Sequence, residues 1–542
     1  MSKTEELKQF TASADPTIRD ATHASDVIGT RGPVQWRILI LLSLVYMMAP
    51  FSNGSIPFYA PNMDFYCHHI DETSGTIIAS KNKCTYELNK LSYKCNNFTY
   101  EMMFHTRTLT NEFNLVCDKS WYISFCGSVH QMGYAASAIL IGWLSDAYGR
   151  TFAAKFAISL EIAAGFGQAF APSIYWFFFA RFFIGIAAPG RFYTGLVLIT
   201  EWFGPQFRAE AMSLYEYGSR LMGISFPWIF LITADFRITQ ASASSVEILL
   251  LILFYFVILE SPHWLMTKGK YDKVNKYLTK AAKQKGELSD EEIRRRIQSM
   301  KEHTIRELEG EKKKSADQQG MWAAMKDPAL RRVSLIIFFT NFSQSFIGYA
   351  SGFNVQNLGG DMYINGLITG IVSLFTSAIF IVIIGKFQRR TFLLSTMAVE
   401  VVGMICLLTA TLFNCHYSVN VLFSFIYTSF GGAMKNAFNL YTAETFPTNM
   451  RQSAMGVCSL FSRCGSIIAP FIRELTRLTS LSFVTGIFIA MASINFVMLF
   501  WLPETRDYQL PDTVTQKRRQ IETQVSIRSE KSRKDIELNS RN

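Results

Sequence analysis

Long apolar runs alternate with polar stretches along this chain of 542 residues. Many runs reach 18 residues or more, and a helix needs about 20 apolar residues to cross a bilayer. Four polar stretches interrupt the runs: about 35 residues at the N-terminus, residues 59–120, residues 261–330 and the tail from 503. About 335 residues remain outside them, enough for twelve spans of roughly 28 residues with their turns. We place six spans before residue 261 and six after residue 330.

Composition favours the same membrane class. Hydrophobic residues make up 49% of the chain, 46 residues are phenylalanine, and the mean hydropathy is positive. The predicted fold class is an all-α membrane protein whose spans form two bundles. The predicted domains are an N-terminal segment (1–33), a six-helix bundle (34–260), a linker with amphipathic helices (261–330), a second six-helix bundle (331–502) and a basic tail (503–542).

Charge predicts the orientation in the membrane. Residues 261–332 contain 18 Lys or Arg and 11 Asp or Glu, whereas residues 59–121 contain 6 and 7. Basic loops stay on the cytoplasmic side, so the linker and both termini should be cytoplasmic, and residues 59–120 should form an ectodomain at the plasma membrane. Residues 1–32 are polar, so the first span itself should direct insertion.

The predicted ectodomain has the marks of an oxidised, glycosylated segment. Asn97-Phe98-Thr99 is a glycosylation acceptor. Disulfides form outside the cytosol, and four cysteines allow three pairings, among which the sequence does not choose. The four are Cys67, Cys84, Cys95 and Cys117. The other five cysteines lie in or beside spans, where packing is the expected role.

One motif occurs twice in the chain, as TEWFGPQFRAEAM at residues 200–212 and AETFPTNMRQSAM at residues 443–455. In each copy a glutamate precedes an arginine by seven residues: Glu201 and Arg208 in the first, Glu444 and Arg451 in the second. The copies are 243 residues apart, close to half of the chain. Each would lie at the cytoplasmic junction after the fourth span of its bundle.

Two further echoes have nearly the same offset. The stretch GWLSDAYGR contains Asp146 and ends at Arg150, and it corresponds to GKFQRR at residues 385–390 in the second half. The sequence ESP from residue 260 is answered by PET from residue 503. Three echoes at one offset predict two pseudo-symmetric halves related by an axis along the membrane normal.

These motifs resemble those of the major facilitator superfamily and, within it, the organic ion transporter family. The resemblance covers residues 34–506 and implies twelve helices in two bundles and transport of small organic ions by alternating access. Gly385 departs from the family pattern by replacing an aspartate, which implies a weaker inner gate in the second half. The matching stretches are GWLSDAYGR at 142–150, RFFIG at 181–185, ESPHWL at 260–265, YTAETFPT at 441–448 and LPETR at 502–506.

Charged residues at the inner helix ends are predicted to form a gate. Glutamate and arginine can pair across the bundles when the inner side is closed and separate when it opens. For Arg389 and Arg390, anchoring of helix ends at the lipid headgroups is the alternative. The predicted gate residues are Asp146, Arg150, Glu201, Arg208, Glu444 and Arg451.

Charges within spans are costly and tend to face a cavity. Glu161 should make a local polar contact, and Arg191 beside Pro189-Gly190 should either be exposed by a helix break or pack on a carbonyl. Glu216 and Arg220, four residues apart, either neutralise each other or bind substrate.

Lys435 and Arg463 stand apart from the other charges within spans. Each lies in an apolar stretch without an acidic partner at helical spacing. An unpaired cation in such a place favours an anionic ligand.

The family resemblance implies which residues line the central pocket. Arginine at position 463 is the choice of family members that carry anions or carnitine-type zwitterions, whereas cation carriers have an acidic residue there. Cation carriers often have a second acidic residue where this chain has Ser373. The pocket residues implied by the resemblance are Asn53, Phe192, Tyr217, Arg220, Tyr349, Lys435 and Arg463.

The sequence therefore predicts a transporter of organic anions or zwitterions. No nucleotide, zinc-protease or hydrolase motif is present, so we expect no catalysis, no cofactor and no metal. The expected partners are a small organic ion, the lipid bilayer and a counter-transported ion, and no nucleic acid, because the inner loops supply most of the net charge of +11. An organic cation transporter, a sugar porter and a non-transporting receptor remain alternatives.

Overall fold

The computed structural model is all-helical apart from one small β region. It describes residues 23–29, 31–70, 77–81, 84–88, 91–95, 97–101, 107–285, 289–315, 325–354, 358–384, 387–447 and 450–505. The first 22 residues and the basic tail from residue 506 lie outside the described residues.

The helices of the first half start at residues suited to helix starts. Helices α2 and α9 begin with a proline, which fits the first turn because no backbone donor is needed there. Helices α8 and α10 have Ser173 and Asp235 as N-caps, whose side chains accept hydrogen bonds from backbone N–H groups of the first turn. The helices are α1 (Ala24–Ile28), α2 (Pro33–Tyr46), α3 (Ala49–Asn53), α4 (Ile56–Tyr59), α5 (Leu109–Glu112), α6 (Trp121–Tyr148), α7 (Arg150–Ala169), α8 (Ile174–Trp202), α9 (Pro205–Thr233) and α10 (Phe236–Val257).

The second half repeats this arrangement after three linker helices. The linker contains α11 (Pro262–Thr267), α12 (Tyr271–Lys285) and α13 (Asp290–Ser315). The long helices that follow are α14 (Pro328–Asn354), α15 (Met362–Ile384), α16 (Arg389–Leu412), α17 (Tyr417–Thr445), α18 (Arg451–Ile468), α19 (Ile472–Leu478) and α20 (Leu481–Leu499).

Within the described ranges, seven helical segments are long and apolar enough to cross a membrane. Longer helices with more polar faces, such as α6, α9 and α17, pack among them. The seven segments are Pro33–Asn53, Ile174–Trp202, Phe236–Val257, Leu330–Asn354, Arg389–Leu412, Ser453–Leu478 and Leu481–Leu499.

The β region lies in the chain between α4 and α5. Antiparallel strands in the order β2-β1-β5 form one sheet, and β3 pairs with β4 in a hairpin. Two disulfides join this region, Cys67–Cys95 and Cys84–Cys117, which selects one of the three pairings that the sequence left open. The strands are β1 (Phe65–Ile70), β2 (Ile77–Lys81), β3 (Thr85–Leu88), β4 (Leu91–Lys94) and β5 (Asn97–Tyr100).

Surface charges on the β region pair with each other. Lys81 lies 2.8 Å from Asp64 and 3.2 Å from Glu101. These carboxylates raise the pKa of the Lys81 ammonium group above its usual value by hydrogen bonding to the charged form. The side chain of Asn97 is exposed on β5. It is therefore accessible for glycosylation, which stays a prediction.

Each half has its own apolar core. One cluster of buried side chains joins α14 with α16, α17, α18 and α20, while two others join helices of the first half. The halves meet along two seams, α6 against α18 and α9 against α15. Two bundles joined at two seams leave space between them, and the cavities described below occupy that space.

Candidate functional site

The first cavity lies between the halves beside α9 and α15. Its volume is about 360 Å³, and its walls are mostly apolar, with Phe58, Phe226 and Phe353 among them. Asn53, Arg220 and Tyr349, three of the predicted pocket residues, also line it. Further wall residues are Pro50, Pro57, Met362, Thr369 and Ser373.

A second cavity of about 290 Å³ continues from the first, because Arg220, Thr369 and Ser373 line both. Helix α17 forms its far wall and contributes Lys435. Ser373, at a position where the resemblance places an acid in cation carriers, faces these two cavities as a neutral hydroxyl. The combined space therefore contains two cationic side chains and no carboxylate among its described wall residues.

A third cavity, of about 860 Å³, forms a vestibule along the seam between α6 and α18. Arg463 lies at one end of it with Tyr134 and Tyr193, and Asp146 and Arg150 lie at the other end. The vestibule therefore connects the predicted substrate residue at position 463 with the predicted gate.

Lys435 and Arg463 contact aromatic rings rather than carboxylates. The Lys435 ammonium lies 5.8 Å from the ring centre of Tyr349, and the Arg463 guanidinium lies 3.6 Å from that of Tyr134. In the part of the chain that the structure describes, neither forms an ion pair with an acidic side chain. A ring face stabilises a cation without neutralising its charge, so both side chains remain able to attract an anion.

The other predicted pocket residues differ in their surroundings. The side-chain oxygen of Asn53 lies 2.9 Å from Nε2 of His130. Phe192 packs its ring against Tyr46 and Tyr215, with ring centres 4.8 and 5.9 Å apart. It thus belongs to an aromatic stack, whereas its neighbour Tyr193 lines the vestibule.

Tyr217 and Arg220 lie one turn apart on α9. Tyr217 is half-buried and makes no hydrogen bond or ring contact within the described residues. Arg220 donates to Glu216 at 3.2 Å. This agrees with the alternative in which the two charges neutralise each other. The guanidinium of Arg220 nevertheless faces both cavities, so the pairing leaves room for a ligand contact.

The expectation for Arg191 was wrong, whereas Glu161 makes a polar contact as expected. Helix α8 runs unbroken past Pro189, and Arg191 is only 2% exposed. Its guanidinium lies 3.0 Å from Glu161 on α7 and 2.9 Å from Glu247 on α10, while Ser52 donates a hydrogen bond to Glu161. Charges on three helices pair in the bundle interior, and spacing along one helix cannot reveal such a partner.

Three of the four predicted gate residues of the first half, Asp146, Arg150 and Glu201, form a compact cluster at the end of α6. Arg150 pairs with Glu201 at 3.3 Å and with Asp146 at 2.7 Å. Glu260 accepts the backbone N–H of Thr151 at 3.1 Å and so caps α7. Gly149 has φ of +113° and packs directly against the Glu260 carboxylate, where any side chain would collide.

The second half builds the same cluster. Arg389 lies 3.4 Å from Glu444, and Glu504 accepts the backbone N–H groups of Arg389 at 2.9 Å and Arg390 at 3.0 Å. Thr505 donates to Glu444 at 2.6 Å. The three sequence echoes therefore correspond to one structural unit that occurs twice: a glutamate–arginine pair and a helix-capping glutamate.

The partners of the gate glutamates differ from the expectation. Glu201 pairs with Arg150 and Glu444 with Arg389, so Arg389 belongs to a charged cluster in which it was not expected. Arg451 instead donates to the Phe446 carbonyl at 3.5 Å, and Arg208 forms no ion pair within the described residues. All these ion pairs join helices of one half, so pairing across the bundles is not seen in this conformation. Gly385 lies outside the described residues.

The halves touch at the end where the disulfide-linked strands lie. We call this end the strand side and the end with α12 and α13 the linker side. Ser120 donates to Glu474 at 2.8 Å, Ser128 donates to the Ile467 carbonyl at 2.6 Å, and Arg473 donates to Asn62 at 3.1 Å. These bonds close the strand side, whereas the vestibule extends to the linker side.

Removing the bond between Ser120 and Glu474 should open the strand side. A hydrogen bond to a charged group is worth about 1.5–3 kcal/mol, so Glu474→Ala should shift the equilibrium between the closed and open forms about tenfold or more. Spin labels at the exposed positions Trp121 and Leu478, on opposite sides of the seam, report the separation in nanodiscs. We expect a larger population of long distances.

The control for this experiment is Arg477→Ala. Arg477 belongs to the same charged group, 3.8 Å from Glu474, but is on the same helix as Glu474 and does not cross the seam. Unaltered distances in Glu474→Ala, or an equal change in Arg477→Ala, would show that the bond does not hold the strand side closed. The exposed Cys415 and Cys464 are replaced by serine in all variants to avoid labelling.

Sequence reasoning missed Tyr134, Tyr193 and His130 as members of the site. Each lies on a helix with many aromatic or small residues, so no periodicity singles it out. The signal that was available is the polar edge of α6, which carries His130, Gln131 and Tyr134 within an apolar helix.

Comparison with known proteins agrees with this architecture. The family model "Sugar (and other) transporter" matches residues 73–513. Solute carrier family 22 member 13 of Homo sapiens is 27% identical over 407 residues, covering 75% of this chain and 71% of that protein. The organic cation transporter protein of Drosophila melanogaster is 25% identical over 535 residues, covering 90% and 92%.

The fold is also shared with a solved transporter. The inward-open conformation of the xylose transporter XylE from E. coli superposes with a TM-score of 0.61 at 17% identity, covering 88% of this chain and 97% of that one. That similarity shows the major facilitator fold. The family match and the named relatives show that the chain belongs to the organic ion transporter family, solute carrier family 22, of the major facilitator superfamily.

Proposed function

We propose that this protein is a secondary transporter of small amphipathic organic anions or zwitterions that works by alternating access. The observation that carries the proposal is the pair of cations, Lys435 and Arg463, on the walls of the cavities between the halves. Neither has an acidic partner within the described residues. A transported anion supplies the missing charge.

The proposed membrane arrangement has twelve spans. It adds α6, α7, α9, α15 and α17 to the seven apolar segments, because each is long and packs among them. Their polar residues then face the cavities and the charge clusters, as the cost of a charge in lipid requires. The basic linker side is cytoplasmic in this arrangement, with both termini, and the strand side forms the ectodomain at the plasma membrane with Asn97 glycosylated.

The cavity walls suit a flat ligand with an apolar body. Phe58, Phe226, Phe353 and Tyr349 surround the first cavity, and aromatic rings bury large areas and stack on other rings. A few polar groups then fix the orientation. A carboxylate directed at Lys435 or Arg463, with its ring among the aromatic walls, satisfies both features.

The charge of the substrate sets the energetics. Moving an anion into a cell against an inside-negative potential costs about 2.3 kcal/mol of free energy per charge per 100 mV. Uptake of an anion therefore requires exchange for an internal anion or coupling to another ion. A zwitterion carries no net charge, so facilitated diffusion suffices for it.

An organic cation is the second candidate, because relatives such as the organic cation transporter protein of Drosophila melanogaster match the chain. The carboxylate available for it is Glu216, which is half-exposed on α9. That carboxylate already pairs with Arg220 at 3.2 Å, and a cation would have to displace the arginine. The net positive charge of the cavity walls therefore favours an anion.

The test is uptake into proteoliposomes held at a fixed membrane potential. The substrates are benzoate as an aromatic carboxylate, carnitine as a zwitterion and tetraethylammonium as a cation. We expect saturable uptake of benzoate or carnitine, with benzoate uptake stimulated by an internal carboxylate and slowed by an inside-negative potential. Empty liposomes give the background.

Three outcomes would overturn the proposal. If tetraethylammonium is taken up and neither benzoate nor carnitine is, the protein is a cation transporter. Saturable binding of benzoate or carnitine without flux would show a receptor on a transporter scaffold. Uptake of a hexose that does not respond to the potential would identify a sugar porter.

A further inference from the structure

A crevice of about 600 Å³ with both aromatic and polar walls opens on the outer face of the first half, near the linker side. It lies between the start of α7, the end of α10 and one side of α12. Phe152, Phe156 and Phe256 line it and are exposed, and Phe256 is 83% exposed. Large exposed rings on the outside of a membrane bundle are positioned to contact lipid chains.

The crevice also contains a cation at its entrance. Lys155 lies on its wall, with its ammonium 4.1 Å from the ring centre of Tyr255. Within the described residues Lys155 forms no ion pair. Glu260 lines the crevice too, but its carboxylate accepts the backbone N–H groups of Thr151 and Ser261, so it is already occupied.

Helix α12 extends the positive charge beyond the crevice. It carries five lysines and one aspartate, and its apolar face packs under the first half through Val274, Leu278 and Ala281. Tyr277 of the same helix lines the crevice. One side of α12 therefore borders the crevice, and its basic side faces outward.

The basic side of α12 faces a groove shared with α13. Lys276 and Lys280 line this groove with Lys283 and Arg294. Lys283 pairs with Asp290 at 2.9 Å, whereas Lys276, Lys280 and Arg294 form no ion pair within the described residues. A series of cations next to exposed phenylalanine rings matches a molecule with an anionic head and an apolar chain.

We propose that this crevice binds an anionic phospholipid from the leaflet on the linker side. An acyl chain lies against Phe152, Phe156 and Phe256, and the headgroup phosphate lies between Lys155 and the α12 lysines. Charge complementarity and the position at a lipid-facing surface support this occupant. The site is separate from the cavities between the halves, so the proposal does not depend on which ion is transported.

The test is native mass spectrometry of the purified full chain with added lipids. Dioleoyl phosphatidylserine and dioleoyl phosphatidylcholine are compared, with glycerophosphoserine as the soluble headgroup. We expect preferential binding of phosphatidylserine and no retained glycerophosphoserine. Each lysine near an anionic surface is worth about fivefold, so the double variant Lys155→Gln, Lys280→Gln should lower the preference about 25-fold.

The matched control is Lys326→Gln, an exposed lysine that immediately precedes the second half and is not part of the crevice or the groove. It should leave the preference unaltered. A second variant, Phe256→Ser, should weaken the binding of both lipids, because it removes a chain contact. Equal binding of both lipids by the unaltered protein, retention of the soluble headgroup, or a preference that survives the double lysine change would each overturn the proposal.

Discussion

Replacing Arg463 by glutamine should lower the kcat/KM for carboxylate uptake by about 10- to 100-fold. A hydrogen bond between charged groups is worth about 1.5–3 kcal/mol, and Arg463 is held against Tyr134 without an acidic partner in the described part of the chain. In the proposed function, the substrate supplies the opposite charge. Arg463→Asp should abolish carboxylate uptake, because the reversed charge repels the ligand. Initial rates in proteoliposomes at fixed potential measure both effects.

The matched control is Arg332→Gln. Arg332 also lies over an aromatic ring, 4.9 Å from the centre of Trp501, but on the exposed surface of the second half. Loss of its charge should leave uptake within about twofold of the unaltered protein, since distant surface charges are screened by salt. Carboxylate uptake that persists in Arg463→Asp would refute the role of Arg463 in binding the anion, and carnitine uptake measured alongside would reveal a substrate that depends on another residue.

The two-half organisation could be predicted from the sequence because it leaves repeated marks in the chain. Three motif pairs have nearly one offset, and the structure converts them into the same cluster of a capping glutamate and a glutamate–arginine pair. Pairing partners were harder to predict. Glu201 lies near the end of α8, and Arg208 lies in the first turn of α9. The partner of the Glu201 carboxylate is instead Arg150, at the start of the neighbouring α7.

The candidate site was only partly predictable. Lys435 and Arg463 were identified because neither has an acid at helical spacing, and no acid from another helix reaches them within the described residues. The same reasoning failed for Arg191, which has no acid at helical spacing and yet contacts Glu161 and Glu247 on two other helices. Sequence spacing tests only one helix, whereas a bundle interior brings together side chains from three.

The second large effect is expected from Arg191→Met, which should destabilise the protein by about 3–5 kcal/mol. Removing one partner of a buried ion pair leaves uncompensated charge in a poorly solvated place, and here two carboxylates, Glu161 and Glu247, lose their shared cation. Thermal unfolding in detergent, followed by a thiol-reactive dye, reports the change, because Cys126 and Cys458 are buried until the bundles open.

The second half provides the contrast for this prediction. Glu400 lies 239 residues after Glu161 and is equally buried, but its neighbour is Gly431, which lies 240 residues after Arg191. Its hydrogen-bond donor is the amide of Gln344, at 3.2 Å. Glu400→Gln keeps an acceptor for that amide and removes no ion pair found in the described residues, so the unfolding temperature should change little.

Restoring neutrality should recover much of the stability lost in Arg191→Met. In the triple variant Arg191→Met, Glu161→Gln, Glu247→Gln, no charge is left in the cluster, and replacement of a whole buried ion group by neutral residues is often close to neutral for stability. We expect the triple variant to unfold well above Arg191→Met and near the unaltered protein. If the triple variant unfolds no later than Arg191→Met, packing of the long arginine side chain rather than charge balance holds these three helices together.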